Sequence, residues 1–153
     1  MSRTLVVGLG NRYRRDDAAG LVTADRVREV APTGVDVAEL HGEPLSLLDR
    51  WEGIDRVIVV DAVVSDAEPG TIVRFDARAE PPPRPFRGRG THTFSLAEVI
   101  ELAAALDRLP RELVAYGVEG SDFAAGTGLS PAVDAAAAEV ALRILADAEG
   151  VED

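Results

Sequence analysis

The sequence predicts an α/β protein: a three-layer α/β/α sandwich around a mostly parallel sheet of about five strands, with one antiparallel hairpin strand. Three observations predict it. Short, almost wholly apolar runs rich in β-branched residues recur at residues 4–10, 55–64 and 112–120, as in strands buried on both faces. Segments with helical spacing of apolar residues alternate with them, the pattern of parallel strands joined by crossover helices. The first apolar run then breaks into glycines and two aspartates, "LVVGLGNRYRRDDAAG" at 5–20, a glycine turn between a first strand and a first helix.

The elements follow in chain order. "TLVVGLG" (4–10) is the first buried strand. Residues 17–31 carry Leu21, Val22, Val27 and Val30 near helical spacing, with acids at the start where the helix dipole favours them. "VDVAEL" (35–40) is a second strand. "PLSLLDRWEG" (44–53) is a short helix, opened by Pro44 and closed by Gly53. "DRVIVVDAVV" (55–64) is the most hydrophobic strand. After the Pro-Gly turn in "SDAEPG", residues 71–77 read as its hairpin partner. Residues 79–90, "AEPPPRPFRGRG", are too rich in proline and glycine for regular structure and read as a mobile loop. "SLAE" (95–98) is a capping box opening the next helix. "ELVAYGVEG" (112–120) is the fifth strand. Ser130 and Pro131 open a long alanine-rich helix over 130–149.

No repeat and no domain boundary interrupts residues 1–153, which suit one domain with a sizeable core. The chain is acidic, with 27 Asp and Glu against 16 Lys and Arg. That balance disfavours nucleic acid, which is bound through cations, and anionic membrane surfaces. The lack of cysteine removes disulfides, thiolate catalysis and Cys-ligated metal centres. No signal region opens the sequence and no apolar run would span a bilayer, so a cytoplasmic location is expected.

In a sheet of this kind the ligand site lies beyond the carboxyl ends of the strands, and there the familiar motifs fail. The dinucleotide fingerprint needs a third glycine where Tyr13 stands. A phosphate loop needs a Gly-Lys-Ser/Thr ending, and no lysine follows the glycines. The aspartates would repel a phosphate, so no nucleotide is expected. G-x-S-x-G is absent and only His41 and His92 are available as bases, which argues against a serine hydrolase. What remains at strand ends is Asp17 after the first strand, Asp61 ending "VIVVD", and His92 between the proline-rich loop and the capping box. Two carboxylates and an imidazole suit a borderline divalent metal such as nickel, zinc, cobalt or manganese. Simpler roles stand beside this one. Asp16 or Asp17 can cap the first helix, with the other facing the cleft; Asp61 can bond turn amides; Arg12, Arg14 and Arg15 can be solvated; His41 reads as structural, although it too follows a strand.

The ordered blocks resemble the hydrogenase maturation endopeptidases. "VVGLGNRYRRDDAAG" is similar to their opening Gly-x-Gly-Asn and acidic pair, and "RVIVVDAVVSDAEPGTIVRF" to their strand ending in aspartate with a Pro-Gly turn. "THTFSLAEVIELAAAL" resembles their histidine ahead of a helix, and "LVAYGVEGSDFAAGTGLSPAV" their last block. The resemblance implies a protease that removes the C-terminal extension of the nickel–iron hydrogenase large-subunit precursor after nickel is inserted. It implies that Asp17, Asp61 and His92 are both the catalytic and the metal-contacting residues, with nickel largely supplied by the precursor. A factor that binds the precursor without cutting it, and a hydrolase with its own zinc, remain alternatives. The resemblance leaves open whether nickel polarises the scissile carbonyl or only positions the precursor, with Asp17 or a neighbour as base. One departure lies beside the cleft: "ELHGEP", with Glu39, His41 and Glu43, stands where the family often has Asp-Gly-Gly-Thr. A second is "GVEGSD" where many relatives carry a proline. The arginine-bearing proline-rich loop is a further candidate to grip the precursor's tail.

Overall fold

The computed structural model describes residues 3–88 and 94–150. Strands β1 (Thr4–Gly10), β2 (Val35–His41), β3 (Arg56–Val63), β4 (Ile72–Asp76) and β5 (Glu112–Glu119) form one sheet in the order β2-β1-β3-β5-β4. All pairs are parallel except β4, which runs antiparallel to β5. Helices α1 (Ala19–Val30) and α4 (Pro131–Gly150) cover one face; α2 (Leu47–Arg50) and α3 (Leu96–Ala105) cover the other. Side-chain alternation assigns the faces. Val6, Ile58, Val60, Tyr116 and Val118 pack under α1 and α4, while Leu5, Val7, Val57, Val59 and Ala115 pack under α2 and α3. Both faces are buried, which is why the strands read as continuous apolar runs.

Two expectations are corrected. β4 is not the hairpin partner of β3, because β5 lies between them. The residues after Val63 span β5 and deliver β4 to its far side. Its half-exposed pattern suits an edge, whereas β3, buried along Arg56–Val60, takes parallel neighbours on both sides. Nor are residues 79–88 a loose loop. Prolines set up a 3-10 turn at Arg84–Arg87, and this turn drives Phe86 into the core, 2% exposed, with its ring 4.8 Å from that of Phe75. The capping box is present as read: the Ser95 amide donates to Glu98 at 2.9 Å, and the Glu98 amide donates back to Ser95 Oγ at 3.2 Å.

β1 sits between β2 and β3, so the chain leaves it in one direction and returns on the other side. This is the switch point where a crevice opens at the carboxyl ends. The β1–β3 pairing ends at Gly8 and Val60 although both strands continue. Gly20 closes the base of the crevice. A Cβ there would lie 2.2 Å from Val60 O and 2.5 Å from Leu9 O, so only glycine lets α1 start against both strands. Gly20→Ala is expected to lower stability by about 3 kcal/mol, because the clash is with backbone that no rotamer can relieve. Urea unfolding reads this as a lower midpoint at an unchanged slope; a midpoint within 0.2 M (roughly) of wild type would refute the packing argument.

Candidate active site

The loop after β1 is built to hold one side chain. Gly10 has φ +145°, and a Cβ on it would lie 2.0 Å from Asp17 O, so the loop folds back over the strand it has just left. Asn11 O accepts from the Arg14 amide at 3.3 Å, and Arg14 O from the Asp17 amide at 3.0 Å. A second set of bonds stitches this loop to residues 121–130. The Arg15 amide donates to Gly126 O at 3.1 Å, the Gly126 amide to Tyr13 O at 2.9 Å, and the Asp16 amide to Asp122 O at 2.9 Å.

The two adjacent aspartates divide their roles. Asp16 is fully buried. Its carboxylate accepts from the amides of Ser121 (2.9 Å), Asp122 (2.9 Å) and Ser130 (2.7 Å), and from the Ser130 hydroxyl at 2.8 Å. Burial pushes its pKa up, but the amides of Ser130, Ser121 and Asp122 and the Ser130 hydroxyl together hold it below the ordinary aspartate range. Neither aspartate caps α1 through its side chain: the helix is preceded by a 3-10 turn at Arg15–Ala18, and Asp16 serves the start of α4 instead. Asp17 points into the crevice. Burial raises its pKa against the opposing effects of the Asn11 amide and the Arg14 charge.

Asp61, near the end of β3, faces the same crevice. Its pKa is raised to about 7, first by burial and second by the charge of Asp17, against one bond from the Ala62 amide at 2.9 Å. Two cavities meet at this pair. One, of about 630 Å³, is lined by Arg14, Asp17, Asp61 and Ser95 among apolar side chains; the other, of about 510 Å³, shares Asp17, Pro44 and Asp61 and adds Leu9, Asn11, Tyr13 and His41. The sequence-predicted aspartates are therefore brought together. His92 lies outside the described residues, but Gly88 and Ser95, on either side of the 89–93 segment, both line the first cavity. Among the described residues, no three His, Cys, Asp or Glu groups gather to hold a metal ion.

Sequence reasoning missed other parts of the site. Arg12 is not simply solvated. It makes a bidentate pair with Asp25, at 2.9 Å for each bond, and reaches Glu39 at 2.6 Å. Arg28 joins Glu39 at 3.1 Å, and His41 Nε2 lies 3.2 Å from Glu39 Oε1. Since a paired carboxylate only accepts, Nε2 carries the proton and Nδ1 is left facing away from Glu39. The departure "ELHGEP" thus fastens β2 to the loop after β1 and to α1. Arg15 also has partners, Asp122 at 3.7 Å and Thr127 O at 3.4 Å. Phe123, in the last block, was the other omission; an aromatic isolated among small and acidic residues was the available signal.

A sheet with a crevice at its switch point, and two carboxylates held in it at raised pKa, is the arrangement of an α/β enzyme with its site in that cleft. The comparisons with known proteins agree. Residues 26–147 match the model of the HycI family, described as hydrogenase maturation protease. The hydrogenase 2 maturation protease of Escherichia coli K12 is 31% identical over 137 residues, covering 87% of this chain and 82% of that one. A solution structure of an endopeptidase from Escherichia coli superposes with a TM-score of 0.81 at 26% identity, over 94% of this chain and 90% of that one. The hydrogenase maturating endopeptidase HybD of Escherichia coli shares the fold, with a TM-score of 0.78 at 24% identity over 97% and 93% of the two chains. The chain belongs to the hydrogenase maturation protease family. No helix among the described residues is long and apolar enough to cross a membrane.

Proposed function

We propose that this protein removes the C-terminal extension of a nickel–iron hydrogenase large-subunit precursor in the cytoplasm, and that it does so by recognising inserted nickel through Asp17, Asp61 and His92. The observation that carries the reading is the pairing of Asp17 with Asp61 at the meeting point of two cavities. An open groove that runs to both sides of a reacting centre suits a polypeptide threaded across it.

The carboxylate chemistry fits a cation delivered by the substrate. Two carboxylates facing one crevice repel each other, and burial penalises their charge; this is why Asp61 holds its proton up to about pH 7. A divalent cation carried by the precursor would relieve both costs, so Asp61 would give up its proton as loaded substrate arrives. An empty precursor leaves the pair uncompensated. Discrimination then comes from the difference between the two complexes, without a resident metal. Hydrolysis adds water across the scissile amide. Cleavage needs a group that takes a proton from water and returns it to the leaving nitrogen. Asp61, freed of its own proton by the cation, would be that base, with Asp17 beside it.

The test mixes the purified protein with nickel-loaded and nickel-free precursor and follows the mass of the large subunit. Loss of a C-terminal peptide only from the loaded form, abolished by Asp17→Ala, is the expected result. Equal cutting of both forms would refute the nickel checkpoint. Binding of the loaded precursor without cutting would favour a recognition factor.

A further inference from the structure

We propose that His41 is a substrate-binding residue: through Nδ1 it accepts a hydrogen bond from an N–H group of the precursor threaded through the Asp17–Asp61 cleft. The inference rests on the proteolytic reading of that cleft and deepens it by naming one contact that selects the substrate.

The strand that carries His41 puts it at the cleft. His41 is the last residue of β2, at the carboxyl end where the crevice opens. Gly42, at φ +95°, makes the turn that follows. The imidazole is half-exposed and lines the cavity of about 510 Å³ that also holds Asp17 and Asp61. A chain that reaches the two carboxylates through this cavity passes the ring. Strand alternation puts Glu39 on the same face, two residues back, and Nε2 lies 3.2 Å from Glu39 Oε1.

The network behind the ring fixes what it offers. Glu39 accepts from Arg12 at 2.6 Å and from Arg28 at 3.1 Å, and Arg12 is itself gripped by Asp25. Burial pushes the Glu39 pKa up, but the two arginines hold it below the ordinary glutamate range. Glu39 is therefore a carboxylate, which only accepts, so the imidazole gives it the Nε2 proton. Nδ1 keeps its lone pair, and among the described residues nothing donates to it. Two arginines already satisfy Glu39, so a half-exposed third partner adds little to the fastening of β2. What the third bond does is orient the ring and select its tautomer, which is how a carboxylate prepares a histidine for a ligand. A precursor N–H that meets Nδ1 exchanges its bond to water for one to the imidazole; a carbonyl placed there gains none.

The first measurement is the nitrogen-15 NMR spectrum of the imidazoles in the whole protein at pH 8. The chain has 2 histidines, and the signals lost in His41→Leu identify the ring. A proton on Nε2 and none on Nδ1 is the expected result; a proton on Nδ1 overturns the proposal. The second measurement is cleavage of the nickel-loaded precursor, followed by mass spectrometry. His41→Leu is expected to raise KM roughly tenfold while kcat stays within about twofold, the pattern of a contact made equally in the ground and transition states. His41→Asn puts an oxygen where Nδ1 stands and is expected to recover most of that loss, whereas His41→Gln reaches toward Glu39 instead and is expected to behave like His41→Leu. His41 is half-exposed, so these variants are expected to fold, and a thermal melt checks this. A metal ligand would behave differently. His41→Leu is expected to leave the affinity for Ni2+ alone within about twofold of wild type, and a loss of roughly tenfold would make the imidazole a nickel ligand and overturn the proposal. An unchanged KM in His41→Leu, a fall in kcat alone, or equal losses in His41→Asn and His41→Gln also overturns it and leaves the protease reading intact. If the native precursor binds and is never cut, the protease reading falls, and the same variants compared by dissociation constant decide the role of His41 separately.

Discussion

Asp61→Asn is expected to abolish cleavage while leaving the protein at least as stable as wild type at pH 8. The loss in kcat/KM should reach roughly a thousandfold, the scale of a deleted general acid–base group. The unusual half of the prediction is the stability. Asp61 has a raised pKa, about 7 in the folded protein against 3.8 ordinarily, so the folded state binds its proton more tightly than the unfolded state does. The stability this contributes is fully present below about pH 4 and is lost as pH rises through 7. Asparagine keeps the shape and removes the titration. The stability difference between variant and wild type should therefore grow in the variant's favour from pH 4 to pH 8, by a few kcal/mol (roughly). Chemical denaturation at several pH values measures it. A variant that is less stable than wild type at pH 8, or a difference that does not change with pH, would sink the claim that Asp61 is held against its own charge for function.

The parts of this site that the sequence made legible are local; those it hid depend on distant partners. The order of strand, glycines, acidic pair and Gly20 is written in one 16-residue stretch, and the sheet rule then places Asp17 opposite Asp61. Which aspartate serves structure and which faces the cleft was not legible, because the partners that decide it, Ser121, Asp122 and Ser130, lie 105 to 114 residues away. The same holds for β4. Its pattern announces a strand, but its true neighbour β5 begins only at Glu112, after the whole of α3. Phe86 was hidden differently. Composition marked residues 79–90 as loop, and the single large aromatic among the prolines was outweighed, although one such side chain is enough to pin a turn. The partners of Arg12 are not legible locally, because nothing within a helical turn of it carries a negative charge except Asp16; Asp25 and Glu39 reach it from α1 and β2.

Asp16 carries the largest expected effect on stability. Asp16→Ala strips the acceptor from three backbone amides and the Ser130 hydroxyl at once, in a place closed to solvent. The cost should be about 4 kcal/mol, since each buried donor left unpaired is expensive and several are lost together. For a chain of this length that lowers the melting temperature by about 10 °C. Ser130→Ala separates the contributions: it removes the hydroxyl's bond to Asp16 and its longer contact with the Ser121 hydroxyl, keeps the three amides paired, and should cost about 1 kcal/mol. The carboxylate also leaves a signature in acid. Because its pKa is held low in the folded state, its stabilisation is present above the ordinary aspartate range and disappears as pH falls through the depressed value, so acid unfolding of wild type should be steeper than that of Asp16→Ala. The effect should also reach the reaction. Asp17 is the next residue, and its loop is tied to residues 121–130 through Asp16, so the folded fraction of Asp16→Ala at low temperature should still cut at least tenfold more slowly than wild type. If that fraction cuts at the full rate, Asp16 contributes to stability alone and the stitched loop does not position Asp17.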